Sequence, residues 1–172
     1  MNILFKEVNM LFKYDKLRYV EKLIKDQIRN KMEGLDFKII LYQDKDILLN
    51  SFIEIYSIEK IIILEKYIKT EIKENYVFKT IPFIGESYLF NCRPSIWETY
   101  YPSALIKEKE LILSYSSNNV EVFNQDFETI KSAVSVLNSD VEKINKTLYE
   151  FISKELDRYK IISKNKEDIL FQ

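Results

Sequence analysis

Histidine is absent from the 172-residue chain, cysteine occurs once, and glycine occurs twice. Each scarcity removes a class of chemistry. Without imidazole there is no serine or cysteine triad of the usual kind, no His-bearing metal site, and no general acid or base that titrates near neutrality unless another group is strongly perturbed. A lone Cys92 can form neither an internal disulfide nor a thiolate cluster, so a bound metal would need oxygen ligands. Its expected role is that of a small buried apolar residue. Phosphate-cradling loops need several glycines at fixed offsets, whereas Gly34 and Gly85 stand 51 positions apart. Walker and dinucleotide fingerprints are therefore excluded, and no cofactor is expected.

Charge of one sign is lacking as well. Lys and Arg total 26 against 27 Asp and Glu, a net charge of −1. Nucleic acid thus stays an open partner that the overall charge does not favour. No apolar run approaches the length of a membrane span, and the stretch from Met1 to Tyr14 is interrupted by Lys6, Glu7 and Lys13. The expectation is a cytoplasmic protein with no membrane association. At this length one domain is expected, with most of the chain's apolar surface available for burial.

Hydrophobic residues make up 47% of the chain and aromatics 14%, and their spacing divides it into three stretches. Residues 1–56 read as mainly helical. Asp15 can cap a helix carrying Leu17, Val20, Leu23, Ile24, Ile28 and Met32 at three- and four-residue steps, and Gly34 stands where a left-handed C-terminal residue is wanted. Phe37 to Tyr42 reads as a strand or extended connector, and Asp44 and Asp46 precede a second short helix over Ile47 to Tyr56. Residues 58–116 are β-rich. Ile61 to Leu64, Tyr67 to Lys73 and Tyr76 to Ile84 have strand character, and Ala104 to Lys107 with Glu110 to Tyr115 reads as a hairpin. Together they predict an antiparallel sheet of about four or five strands.

The third stretch, 120–160, has the most regular pattern. Val120, Phe123, Phe127, Ile130, Val134, Leu137, Val141, Ile144, Leu148 and Phe151 follow alternating three- and four-residue steps, a heptad seam with no Gly or Pro. One helix from Val120 to about Arg158 would be roughly 55–60 Å long. Either it is continuous, or it breaks into a hairpin at Asn138-Ser139-Asp140, where Ser139 or Asp140 can cap. The seam packs on the chain's own sheet and helix or pairs with another chain. In the second case Phe127, Ile130, Val134, Leu137, Val141, Ile144 and Leu148 form the interface. The whole predicts an α+β protein.

Three constellations carry candidate chemistry. Tyr76 to Tyr101 holds eight aromatics with Arg93, one of four arginines, among them. Aromatics beside arginine either stack a base or anchor an interface, or they simply fill the core of the sheet. Within this stretch Arg93, Trp97, Tyr100 and Tyr101 are the candidate ligand- or partner-binding residues. Pro94 biases Arg93 to an extended conformation and so stiffens the aim of its guanidinium. The alternative is a structural ion pair between Arg93 and a glutamate of the long helix. Glu71-x-Lys73 with an upstream Glu59 or Glu54 has the pattern of a carboxylate-dependent nuclease, although E-x-K triplets are expected by chance in such a composition. The block Lys164 to Asp168 reads as a solvated tail.

The segments V-F-K-T-I-P-F-I-G-E, L-F-N-C-R-P-S and P-S-A-L-I-K-E-K-E-L-I-L-S-Y, followed by D-V-E-K-I-N-K-T-L, resemble a family of uncharacterised bacterial proteins. That family combines P-F-x-G, R-P-S, a strand hairpin and a long helix with F-N-x-x-L. Gly85, Phe90, Arg93, Pro94, Ser95, Pro102, Asn145 and Leu148 carry the match over roughly 58–158. Glu86 departs from the usual Asp, Ile144 from the usual Phe, and the basic helix end is reduced to Asp157-Arg158-Tyr159-Lys160. The resemblance implies a shared fold and an accessory or sensor role beside defence or restriction systems, and it supplies no catalytic residue. The leading expectation is a non-enzymatic accessory protein that docks a partner protein, or a second copy of itself, through its C-terminal helix. The alternatives are a ligand or nucleic-acid sensor and, third, a nuclease.

Overall fold

A computed structural model describes residues 9–13, 17–96 and 100–170. The order of elements is β1 (Asn9–Met10), α1 (Leu17–Glu33), α2 (Phe37–Tyr42), α3 (Lys45–Tyr56), β2 (Ile62–Ile63), β3 (Lys69–Lys73), β4 (Tyr76–Ile84), β5 (Ser103–Lys107), β6 (Glu110–Ser116) and α4 (Val122–Leu170). The fold is α+β, as the patterning predicts. The chain divides into two compact units, one of residues 1–17 and 59–141, the other of residues 18–58 and 142–172. α4 contributes to both.

The first unit holds the sheet. Its strands run in the order β1-β5-β6-β4-β2, with β3 also paired to β4, and every pairing is antiparallel. Among the described residues the sheet has six strands; the one beyond the five expected runs is β1, whose two residues are too few to show alternation. β4 is the spine: Val77, Ile81 and Phe83 are buried at the two-residue period of a half-buried strand. Both tight hairpins place a glutamate at positive φ, Glu74 at 54° and Glu108 at 49°, a conformation that glycine would adopt without strain. Gly85 adopts φ 101°, and a β-carbon there would lie 2.0 Å from the Lys60 carbonyl oxygen. The close approach of β2 to β4 thus requires one of the two glycines.

Residues 122–141 of α4 complete this unit and bring Phe127, Ile130, Val134, Leu137 and Val141 into its core. There is no break at Asn138-Ser139-Asp140, since α4 is one helix of 49 residues. Two of these three polar side chains, one of them the candidate cap Asp140, meet groups elsewhere in the chain. Asn138 Oδ1 accepts from Ile61 N–H at 2.9 Å, and its Nδ2 donates to Ile61 C=O at 2.8 Å. Asp140 accepts from both the backbone N–H and the Oγ of Ser95, each at 2.8 Å.

The second unit is helical. The run Phe37 to Tyr42 is a helix, not a strand, because Asp36 caps it by accepting from Lys38 N–H at 2.9 Å. A six-residue apolar run is too short for periodicity to separate the two states. Asp44 caps α3 in the same way, accepting from the N–H groups of Asp46 and Ile47. α1 ends before Gly34 as expected, but Gly34 lacks the left-handed conformation; its N–H simply continues the helical pattern to Asn30 C=O at 3.2 Å. The capping role of Asp15 lies outside the described residues. Asn145 repeats the device of Asn138, exchanging hydrogen bonds of 2.9 and 3.0 Å with the N–H and C=O of Ile58.

Ile144, Leu148, Ile152, Leu156 and Tyr159 carry the buried stripe of α4 through this unit. Phe151, the last expected seam position, gives way to Ile152 as the buried residue. A straight helix drifts about 20° per heptad, so the stripe moves by one position after several repeats. Half-buried Phe151 receives the Lys25 and Arg29 side chains over its ring instead. Tyr159 Oη donates to Glu33 at 2.9 Å, and Arg29 pairs with Glu155 at 3.4 Å. The segment Lys164 to Asp168 belongs to the helix and is largely exposed, so it is solvated without being a loose tail.

Candidate ligand-binding site

The sheet unit carries a cleft of about 180 Å³ at the end of β1 and β5. Its lining brings together Arg93, Tyr100 and Tyr101, three of the four residues singled out by composition and spacing. The fourth, Trp97, lies outside the described residues. The opposite wall comes from the N-terminal segment, with Met10, Phe12 and Lys13, and Ser103 stands at the start of β5.

Backbone pairing holds that wall in place. Asn9 and Met10 pair with Ala104 and Ser103, Leu11 N–H donates to Pro102 C=O at 3.0 Å, and Phe12 N–H donates to Phe90 C=O at 2.6 Å. Phe12 sits at φ 54°, an unfavourable conformation for a bulky residue, and is fully buried. Strain of this kind persists only where the surroundings over-determine it, and it clusters at ligand clamps and switches. Phe12 also links the cleft to the core. Its ring meets Tyr101 edge-on at 5.2 Å and Phe90 at 5.9 Å, and Phe90 meets Phe83 at 4.8 Å. The aromatic stretch is therefore divided between core and cleft. Phe83 and Phe90 fill the core, while Tyr100 and Tyr101 reach the cleft.

Arg93 is exposed, and its Nη2 donates to Lys13 C=O at 3.2 Å. A carboxylate of α4 that meets the R-P-S segment is Asp140, which accepts from Ser95. Within the motif Ser95 is tied to the helix, Pro94 is buried, and Arg93 lines the cleft. Cys92 is fully buried beside it, as a small apolar residue should be.

Tyr100 belongs to two groups at once. It lines the cleft with 56% of its surface exposed, and it also interacts with Asp126 of α4. Burial, then the charge and hydrogen bonding of Asp126, raise the Tyr100 phenol above its usual range. Tyr115 donates to Asp126 Oδ2 at 2.9 Å and is raised as well, by burial first and by the same carboxylate second. Asp126 is only 4% exposed, and its Oδ1 has no hydrogen-bond partner among the described residues.

The other candidates do not join this site. Glu71 pairs with Lys73 at 3.0 Å on the exposed strand β3, and among the described residues no group of three His, Cys, Asp or Glu is placed to hold a metal ion. Asp44 caps a helix. The seven positions Phe127, Ile130, Val134, Leu137, Val141, Ile144 and Leu148 are 0–9% exposed in the single chain. Their surface is therefore already covered by the chain's own residues. Sequence reasoning missed Phe12 and Lys13, because nothing local announces that a two-residue strand will pair with a segment about 90 residues further on. The nearest signal was the apolar pair Leu11-Phe12 at an otherwise mixed N-terminus.

The class that fold and cleft define is an α+β protein with a small aromatic and cationic cleft at the edge of an antiparallel sheet. Among the described residues no helix is long and apolar enough to cross a membrane. The chain belongs to the family described as Dictyostelium (Slime Mold) REP protein, whose family model matches residues 7–169. No curated protein and no solved structure matches it.

Proposed function

We propose that the chain is a non-enzymatic binding protein that senses a small ligand through the Arg93–Tyr101 cleft. One observation carries the reading: Arg93, Tyr100 and Tyr101 converge on one cavity with a strained, fully buried Phe12 as its inner wall. A scaffold tied by Asp140 and by backbone pairing pre-positions these groups, which lowers the ordering cost of binding. Trp97 is the sole tryptophan and lies between Arg93 and Tyr100 in sequence, so its fluorescence is the test. Titration with a panel of nucleotides, single-stranded oligonucleotides and small aromatic acids should change its emission, and Tyr100→Ala should abolish the change. Silence across the panel would retire the proposal.

Docking of a partner protein or a second copy through the C-terminal helix has to use side chains other than the seam. Exposed Tyr149 and Ile161 are of that kind. A solution mass above that of one chain, lowered by Tyr149→Lys or Ile161→Lys, would support it. The family match carries no activity to this chain, and the accessory role beside defence systems forms no part of the proposal.

A further inference from the structure

We infer that β3 pairs along its open edge with β3 of a second copy, antiparallel and with Thr70 on the two-fold axis. The hydrogen bonds of the sheet fix which groups that edge presents. Phe83 N–H donates to Lys109 C=O at 2.9 Å on the β6 side of β4, and Leu64 N–H donates to Pro82 C=O at 2.9 Å on the other side. Even-numbered residues of β4 therefore turn their main chain toward β3, where their partners are Lys69, Glu71 and Lys73. Thr70 and Ile72 turn theirs away from β4, and among the described residues β3 pairs with no other strand. All five residues of β3 are exposed. Main-chain donors and acceptors presented in a row on an edge are a template for another strand.

Charge and symmetry select a second copy as the occupant. The strand reads K-T-E-I-K, with Lys69, Glu71 and Lys73 on one face and Thr70 and Ile72 on the other. Lysines on an edge ordinarily keep other strands away. Here the signs alternate, and the register decides whether they repel or match. With Glu71 on the axis, Glu71 meets its own copy and Lys69 meets Lys73, so like charges oppose all along that face. With Ile72 on the axis, Thr70 meets Glu74, which leaves the extended conformation at φ 54° and ends the ladder. With Thr70 on the axis, each Lys69 meets the Glu71 of the other copy, and the two-fold symmetry makes that pair twice. Each Ile72 then meets Ile68, whose backbone is extended at φ −62° and ψ 126°. Ile72 stands beside buried Val77 on the core-side face of the sheet and is still 70% exposed, so this register covers an apolar side chain that its own chain leaves in water. Two strands of five residues bury less than the about 1,200 Å² of standard interfaces, and the dimer is accordingly weak, with a dissociation constant of about 1 µM or above.

Charge reversal tests the pairing and its register together. Sedimentation equilibrium of the full chain, from about 5 to 500 µM, should pass from the mass of one chain to that of two. Glu71→Lys and Lys69→Glu should each weaken self-association by about tenfold or more, because each sets like charges opposite one another twice, with far-UV circular dichroism unchanged in both. Mixed in equal amounts, the two variants should associate again: Lys69 of the first meets Glu71 of the second, and the two substituted positions meet each other with opposite signs. Raised salt should weaken the parent dimer in the same direction. A chain that stays monomeric over the whole range overturns the pairing and leaves the edge of β3 to a different protein or to water. A mixture that associates no better than either variant alone also overturns it. So does a dimer strengthened by Lys69→Glu, the outcome expected with Glu71 on the axis. A dimer indifferent to both reversals but lost in Tyr149→Lys or Ile161→Lys overturns it in favour of the helix.

Discussion

Replacing Asn145 by alanine tests how α4 holds the extended chain beside it. The side-chain amide faces Ile58 as a second strand would, accepting from its N–H at 2.9 Å and donating to its C=O at 3.0 Å. Ile58 is buried, so truncation leaves one donor and one acceptor of the main chain without partners. Each such group costs about 1–3 kcal/mol, and because Asn145 is only half-buried, water can reach the gap and the loss should fall near the low end, about 2–3 kcal/mol in all. At about 2–4 °C per kcal/mol for a chain of this size, the melting temperature should fall by about 4–12 °C. Asn145→Asp should be worse near neutral pH, because it keeps the acceptor but sets a carboxylate against the Ile58 carbonyl. Part of that loss should return below about pH 4, where a protonated acid can donate again. Amide hydrogen exchange gives the direct reading, since protection at Ile58 should drop in Asn145→Ala. A cost under about 0.5 kcal/mol, the size of an ordinary surface substitution, together with unchanged exchange at Ile58, would refute the reasoning. Asn138→Ala provides the parallel test at Ile61.

Gly85→Ala should abolish soluble folding or cost more than about 4 kcal/mol, because the added carbon meets the Lys60 carbonyl at 2.0 Å in a backbone already at φ 101°; a mildly altered melting temperature would contradict the close approach of β2 to β4. Asp140→Ala should cost about 2–3 kcal/mol in urea denaturation by removing both acceptors of Ser95, and Ser95→Ala, which loses one of the two bonds, should cost about half as much. Burial, ahead of the charges of Glu86 and the Cys92 thiol, pushes the Tyr88 phenol up to about 12. A raised tyrosine holds its proton more tightly when folded, so its stabilisation is full below about pH 10 and is lost as pH rises toward 12. Thermal melts between pH 10 and 12 should therefore decline less steeply in Tyr88→Phe than in the parent, and equal slopes would sink the assignment.

Much of the fold was legible because it follows from local repetition. The 3.6-residue stripes of α1 and α4, the Asp44 cap and the alternation of β4 each act within a few residues, and each is found where the pattern put it. Phe37 to Tyr42 was misread for the complementary reason. Its six residues are shorter than one period of evidence, and the deciding contact is a single Asp36 cap. The site was legible in one half only. Arg93, Tyr100 and Tyr101 declared themselves by chemistry and by proline stiffening, whereas Phe12 and Lys13 reach them only through the pairing of β1 with β5.

Asn138, Ser139 and Asp140 mark the boundary between the two kinds of information most clearly. By propensity they are turn and cap residues, and a break at that point was a reasonable expectation. The helix continues through them because Asn138 and Asp140 have better partners elsewhere, the backbone of Ile61 and the serine of R-P-S. The sequence by itself determined most of the buried stripe of α4, the longer helices and strands, and which active-site chemistries a chain without histidine and with two glycines cannot hold. Tertiary structure decided what the polar residues inside those stretches are for, because a side-chain amide or carboxylate is assigned by the group it meets, and that group lies 45 to 77 residues away in the chain.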